Sequence, residues 1–315
     1  CGSMRIAVLS RNAALYSTSR LVLAAQARGH EVRVLDPMQL SIVVGRRMEP
    51  PYFRGEPLPR IDGIVPRIGA SVTRYGTAVL HEFERAGAVT LNGGQSILLA
   101  RDKVASLQTM ARARVRVPRT VCTRSTEGLE GVIRTVGPLP IILKLQHGTQ
   151  GIGTMIAESK ASLYAMVETF TAMGQEVMLQ QFITEARNTD IRALVVGDRV
   201  LAAMRRRARR GEFRSNLHRG GQSEYVKLSA RYRRCAIKAA KLTGLDVAGV
   251  DMFETPEGPV VIEVNASPGL EGIETTAQTD VATPIIEHLE ARIAAHRTKK
   301  HAPKKTGPPK KKRRR

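Results

Sequence analysis

Two alternating apolar segments joined by turn residues constrain this chain more than any other feature in it. Residues 260–265 read Val-Val-Ile-Glu-Val-Asn, and Val260, Ile262 and Val264 alternate with Glu263 and Asn265. That is the period of a half-buried strand, so Glu263 and Asn265 share one face. Asp251 lies twelve residues before Glu263, in a similar strand at 248–253. The stretch between them, Glu254-Thr255-Pro256-Glu257-Gly258, is turn chemistry. A hairpin brings Asp251 beside the Glu263/Asn265 pair. Carboxylate and carboxamide oxygens in one cluster suit Mg²⁺, which keeps waters and is completed by substrate phosphates. The same residues also fit a surface hairpin with solvated acids, and the pattern alone leaves both readings open.

The first third predicts a βαβ pattern. Strands are expected at 5–10, 31–36 and 63–68, with a helix over 17–28 and a helical stretch ending near Ala86. Arg11-Asn12-Ala13-Ala14 follows the first strand where a dinucleotide fold carries its glycine fingerprint, so dinucleotide binding is disfavoured. Further on, a strand at 141–145 runs into Gln146-His147-Gly148-Thr149-Gln150-Gly151-Ile152-Gly153. Such a loop lets backbone N–H groups approach an anion, and Lys144 can add a point charge to the same phosphates. No Gly-Lys-Ser/Thr follows, so it is not a Walker A loop. On the residues alone an ordinary glycine-rich hairpin fits as well.

Charge and length set the remaining bounds. The chain has 315 residues and a formal charge of +22, and residues 299–315 hold ten Lys or Arg and no acid, which leaves +12 for the rest. The tail cannot bury apolar surface and is expected to be disordered, docking on RNA, the ribosome or acidic protein, with a solvated or tag-like extension as the alternative. Residues 1–3, before Met4, read as a remnant of cloning. Cys122 and Cys235 are too few and too far apart for a disulfide framework or a zinc site, so a cytoplasmic location is expected. No apolar run approaches the roughly 20 residues of a membrane span.

Asp251, Glu263-Val264-Asn265 and Ser267-Pro268-Gly269-Leu270 together resemble the metal and substrate-loop signature of ATP-grasp ligases. The run Glu-Val-Asn-Ala-Ser-Pro-Gly-Leu-Glu-Gly-Ile-Glu is similar to the RimK branch, which adds glutamate to the C-terminus of ribosomal protein S6. The resemblance covers about residues 4–288. It implies an α/β (α+β ATP-grasp) fold. A Rossmann-like pre-grasp domain is expected at 4–100, a small central grasp subdomain at 101–182 and a C-terminal grasp subdomain at 183–298. ATP would lie between the two grasp subdomains, and the basic tail occupies 299–315. It implies ATP with one or two Mg²⁺ (or Mn²⁺) ions, and a homo-oligomer, dimer or tetramer.

Residue by residue, the resemblance assigns Asp251, Glu263 and Asn265 to metal and Ser267, Pro268 and Gly269 to substrate. Lys103 and Lys144 are implied at the ATP phosphates, with Gly148, Thr149, Gln150, Gly151 and Gly153 over them. Gln181 and Phe182 match the hinge over adenine, where the family carries Glu-Tyr. Asp190 matches a ribose-side acid and Arg192 a phosphate or substrate arginine. Arg206 and Arg207 align with family arginines, Arg214, Ser215 and Asn216 with nucleotide-site residues, and Arg205 replaces an acid. A planar guanidinium grips carboxylate and phosphate bidentately, so this arginine-rich rim suits glutamate and an acidic acceptor. Arg192, Arg206, Arg207 and Asn216 are the expected catalytic set.

The leading expectation is therefore an ATP- and Mg²⁺-dependent ligase that adds L-glutamate to the C-terminus of an acidic protein through an acylphosphate. The alternative is a ligase joining an amino acid to a small-molecule carboxylate, a cofactor or a carrier protein. A polyanion-binding protein without catalysis would need only the charge, and the metal and phosphate motifs argue against it.

Overall fold

Short apolar strands alternating with helices in the first third fold as their pattern predicts. The computed structural model describes residues 2–47, 49–145, 153–186, 189–208 and 222–301, without the side chains of 299–301. The chain opens with β1 (Arg5–Leu9), α1 (Tyr16–Ala27) and β2 (Glu31–Leu35). A small antiparallel meander follows, of β3 (Leu40–Ser41), β4 (Tyr52–Phe53) and β5 (Glu56–Pro57). Then β6 (Gly63–Pro66), α2 (Thr73–Arg85) and β7 (Val89–Thr90) complete a parallel sheet of order β2-β1-β6-β7. Two helices lead out of it, α3 (Gly94–Arg101) and α4 (Lys103–Arg112). The Asp102 side chain caps α4 by accepting from the Ala105 N–H at 2.9 Å, which sets Lys103 at the helix start.

The middle of the chain builds a second body. Here β8 (Thr120–Thr123), α5 (Leu129–Val136), β9 (Ile141–Leu145), β10 (Thr154–Ala157), α6 (Lys160–Ala172) and β11 (Val177–Gln181) form an antiparallel sheet of order β10-β9-β11-β8 with two helices. Its apolar cluster includes Leu129, Ile133, Ile141, Leu143, Leu163 and Val177, and draws only on residues between 121 and 179. Gly153 closes the β9–β10 hairpin, its carbonyl accepting from the Leu145 N–H at 3.0 Å. It has φ +78°, a backbone that favours glycine.

The last third adds β12 (Thr189–Val196), β13 (Arg199–Arg207), β14 (Gln222–Tyr225), α7 (Ala230–Leu242), β15 (Val247–Phe253), β16 (Val260–Asn265), α8 (Glu271–Ala277) and α9 (Ala282–His301). Its strands pair antiparallel in the order β14-β13-β12-β15-β16. The expected hairpin is β15–β16, with Asp251 directly opposite Glu263 and a bulge just after Asp251. Helix α9 runs back to the first sheet, where Ile286, Leu289 and Ile293 pack with Ile6, Val8 and Leu21. The first and last thirds thus share apolar core, while the middle third has its own.

Two polar devices tie the first and last thirds together. Arg28, just after α1, grips Glu290 of α9 with Nε and Nη2 at 2.5 and 2.8 Å, and His30 Nε2 lies 2.7 Å from the same carboxylate. Hydrogen bonding from Arg28 holds the Glu290 carboxyl far below the ordinary range, at about 2. A folded-state pKa below the unfolded one stabilises above the unfolded value and is lost as pH falls. The pair should therefore contribute fully above pH 4.5 and fade as pH drops toward 2. Urea titrations should show Glu290→Gln costing about 2 kcal/mol near neutrality, allowing for screening at the partly exposed Arg28. The cost should shrink toward zero in strong acid.

The second device is Asn92, between β7 and α3, only 2% exposed. Its amide donates to the carbonyls of Val247 and Ala266, both at 2.8 Å, and its oxygen accepts from the N–H groups of Asp246 and Val247 at 2.9 and 3.0 Å. All four hydrogen-bonding positions of the carboxamide are used. Asn92→Ala leaves buried backbone groups without partners, so denaturation should show a loss of about 2–4 kcal/mol. Because Ala266 follows Asn265, the same substitution should loosen the candidate site.

Candidate active site

The register of the five-stranded sheet collects charged side chains on one face. Directly opposed residues in antiparallel strands share a face, as do residues two apart. Arg192 opposes Asp251, Asp251 opposes Glu263, and Asp190 opposes Arg206, with Asn265 two residues beyond Glu263. Period and pairing alone therefore bring Asp190, Arg192, Arg206, Asp251, Glu263 and Asn265 together.

Four of them form an alternating network. Arg192 donates Nε and Nη2 to Asp251 at 2.7 and 2.6 Å. Arg206 donates Nε and Nη2 to Asp190 at 2.6 and 2.8 Å, and its Nη2 also lies 2.9 Å from Asp251. Arg206, Asp251 and Asp190 are buried, and the network is neutral as a whole. Burial alone would raise the Asp251 carboxyl, but Arg192 and Arg206 outweigh it and hold it at about 2. Burial likewise works against the Arg206 cation, and Asp251 and Asp190 reverse that, raising its pKa. Asp190, expected at a ribose, accepts from Arg206 through both carboxylate oxygens, because the register sets the two opposite each other. Removing one member of such a buried network strands its partner's charge.

Glu263 differs from Asp251. It is exposed, and among the described residues nothing ion-pairs with it or hydrogen-bonds its carboxylate. Cations surround it from other elements. Lys103 at the start of α4 and Lys144 on β9 are half-buried, and burial lowers both of their pKa values while the nearby Glu263 charge partly restores them. Arg101, at the end of α3, responds to burial and to Glu263 in the same way. The electrostatics therefore favour a ligand carrying several negative charges. Among the described residues no group of three His, Cys, Asp or Glu side chains could hold a metal ion. Two carboxylates and the Asn265 amide make a sparse set of hard oxygens. That fits a cation whose coordination is finished by water and phosphate, the habit of Mg²⁺.

The loop after β16 closes this face toward the first sheet. Asn265 Oδ1 accepts from the Ser267 N–H at 2.9 Å, the Pro268 carbonyl accepts from Arg67 at 2.7 Å, and the Leu270 N–H donates to Ser17 Oγ at 2.9 Å. Pro268 is buried over Gly249, where a Cβ would stand 2.9 Å from the proline ring, so only glycine lets this loop approach β15. Gly269 is exposed at the loop's tip.

At the other end, Gln181 closes β11, its N–H donating to the Arg119 carbonyl at 2.9 Å, and Phe182 follows half-buried. Arg207 is not brought into the network, since period 2 turns it with Arg205 to the opposite face of β13, near Glu224. Arg205 pairs there with Glu254 at 2.7 Å and Glu224 at 2.8 Å. Gly148, Thr149, Gln150, Gly151, Arg214, Ser215 and Asn216 lie outside the described residues. Sequence reasoning missed Arg67 and Arg101. Arg67 had one available signal, its place at the carboxyl end of a parallel strand, where α/β sheets hold ligands.

Known proteins share this arrangement of sheets and much of this sequence. Residues 4–97 match the RimK PreATP-grasp domain and residues 100–289 the RimK-like ATP-grasp domain. A relative from Vibrio vulnificus named probable alpha-L-glutamate ligase is 48% identical, over 94% of this chain and 99% of its own length. One of the same name from Thioalkalivibrio sulfidiphilus is 47% identical, over 94% and 98%. Among solved structures, the ATP-grasp ligase PsnB complexed with a minimal precursor shares the fold at TM-score 0.73 and 23% identity, over 93% of this chain and 100% of that one. The protein is an ATP-dependent ligase of the ATP-grasp type. Within that class, the chain belongs to the RimK-like ATP-grasp family.

Proposed function

We propose that this ligase uses ATP and Mg²⁺ to join the amine of L-glutamate to the C-terminal carboxylate of an acidic protein tail. The observation that carries the reading is Glu263, a carboxylate without a hydrogen-bond or ion-pair partner among the described residues, with Lys103 and Lys144 around it. A magnesium nucleotide supplies the cation for the acid and the phosphates for the lysines. The name of the relatives supports glutamate as the added amino acid. The acceptor implied by the sequence resemblance is ribosomal protein S6, and the +12 carried outside the basic tail favours an acidic partner.

Mg²⁺ bound by Asp251, Glu263 and Asn265 would neutralise phosphate charge during transfer. The acceptor carboxylate oxygen attacks the γ-phosphorus of ATP, the bond to ADP breaks, and an acylphosphate forms. The glutamate amine then attacks the acyl carbon, the C–O bond breaks, phosphate departs with the electron pair, and the amine gives up a proton. No protein nucleophile is required. Lys103 and Lys144 bind and orient the phosphates, and Arg192 and Arg206 hold Asp251 in place. The loop at 267–270 shapes the amine side. In this reading the basic tail aids encounter with the acceptor and takes no part in the chemistry.

The test is ADP release with every amino acid in turn, in the presence of acidic or neutral acceptor peptides. Turnover should require glutamate and an acidic C-terminus together. Turnover indifferent to the amino acid, or faster on neutral peptides, would overturn the assignment.

A further inference from the structure

The junction between the first sheet and the loop after β16 holds two arginines that the phosphate-transfer scheme does not use. Arg67 follows β6 and donates Nη1 to the Pro268 carbonyl at 2.7 Å. Arg101 closes α3 and donates Nη2 to the Ile68 carbonyl at 3.0 Å, a carbonyl that Ser267 Oγ also reaches at 3.4 Å. Both side chains are half-buried, and the Nε of Arg101 is fully buried with no hydrogen-bond partner. Among the described residues neither guanidinium has a carboxylate within ion-pairing distance, although they lie close enough to repel each other. Burial, with Arg101 beside it, brings the Arg67 guanidinium down to about 10.

Cations drawn out of water, as the Arg101 Nε is here, are ordinarily paired or ligated. Each guanidinium offers five N–H donors, and backbone carbonyls here engage one on each, fixing the forks and leaving the rest. A pair of forks held this way by backbone is organised for a carboxylate. Their location selects which one. The reacting carboxylate of the acceptor must lie against the γ-phosphate, on the Lys144 and Glu263 side. Arg67 instead touches the 267–270 loop, on the amine side, and Arg101 stands between that loop and Glu263, sharing the Ile68 carbonyl with Ser267. The amino acid that enters there reacts through its amine, and its own carboxylates must be neutralised without reacting.

Building on the function proposed above, we infer that Arg67 and Arg101 form the carboxylate clamp for the incoming glutamate. Arg67 and Arg101 select an acidic amino-acid donor and orient its amine, and they leave ATP binding to the lysines.

The experiment is calorimetric titration of L-glutamate into the full chain loaded with ADP and Mg²⁺, for wild type, Arg67→Gln, Arg101→Gln and Arg101→Lys. ADP affinity and melting curves serve as the control for folding. Loss of a charged hydrogen bond should weaken glutamate binding about tenfold to a hundredfold in the Gln variants, with ADP affinity unchanged in Arg67→Gln and changed less than glutamate affinity in Arg101→Gln. Arg101→Lys, which keeps charge but not the fork, should fall between. In turnover, KM for glutamate should rise while KM for the acceptor peptide stays. Unchanged glutamate affinity, no glutamate binding by the wild type, or a rise confined to the acceptor KM would overturn the clamp. Glutamate binding that depends on Arg67, in an enzyme that glutamylates no acidic peptide, would keep the clamp and refute the function proposed above.

Discussion

Glu263→Gln lowers acceptor-dependent ADP release by about 10²-fold or more and leaves the melting temperature close to that of the wild type. Asp251 is already neutralised by Arg192 and Arg206, so it brings little net charge to a cation. Glu263 has no such partner among the described residues, so in the proposed function it would be the main anionic donor for Mg²⁺. Glutamine keeps the size and removes that charge, and raising Mg²⁺ should restore part of the rate. The fold should survive, because Glu263 is exposed and binds no neighbouring side chain among the described residues. Near-normal rates in the variant at low Mg²⁺ would reduce the β15–β16 pair to a surface hairpin.

Lys144→Ala weakens ATP binding by about tenfold or more, as expected when a charged hydrogen bond to phosphate is removed. Lys144 stands on β9 with no acid in ion-pair contact among the described residues, and Glu263 and Asp251 act on it only at longer range. A half-buried ammonium with lowered pKa and no direct partner gains most from an arriving anion. Removing it should leave the core intact, since Leu143 and Ile141 supply the packing of that strand. Calorimetry with ATP on the folded variant checks this, and an unchanged affinity would take Lys144 out of the site.

Much of the candidate site's geometry was legible because it is local. Asp251, Glu263 and Asn265 share a face through strand period and one short turn, and all of that can be read over fifteen residues. The parallel first sheet was legible for the same reason, through apolar runs and the helices between them. The resemblance pairs Arg206 with Arg207, but strand period puts them on opposite faces of β13, an alternation that a run of arginines hides, and the acids on β14 and in the β15–β16 turn show where Arg205 belongs. The partners of Asn92, Arg67 and Arg101 were illegible for a different reason. The hydrogen bonds that define Asn92 and Arg67 run to residues more than 150 positions away. Those that define Arg101 run to the neighbouring first-sheet loop. No periodicity in their own segments reports such partners. The pairing of Asp190 with Arg206 also needed the β12–β13 register, which a hairpin turn suggests but does not number.

Intact mass spectrometry of an acidic acceptor after incubation with ATP, Mg²⁺ and glutamate tests the central claim most directly. The account predicts a ladder of products, each heavier than the last by one glutamyl residue, that vanishes without ATP and with Glu263→Gln. An acceptor of unchanged mass, accompanied by ADP and a free small-molecule conjugate, would contradict it.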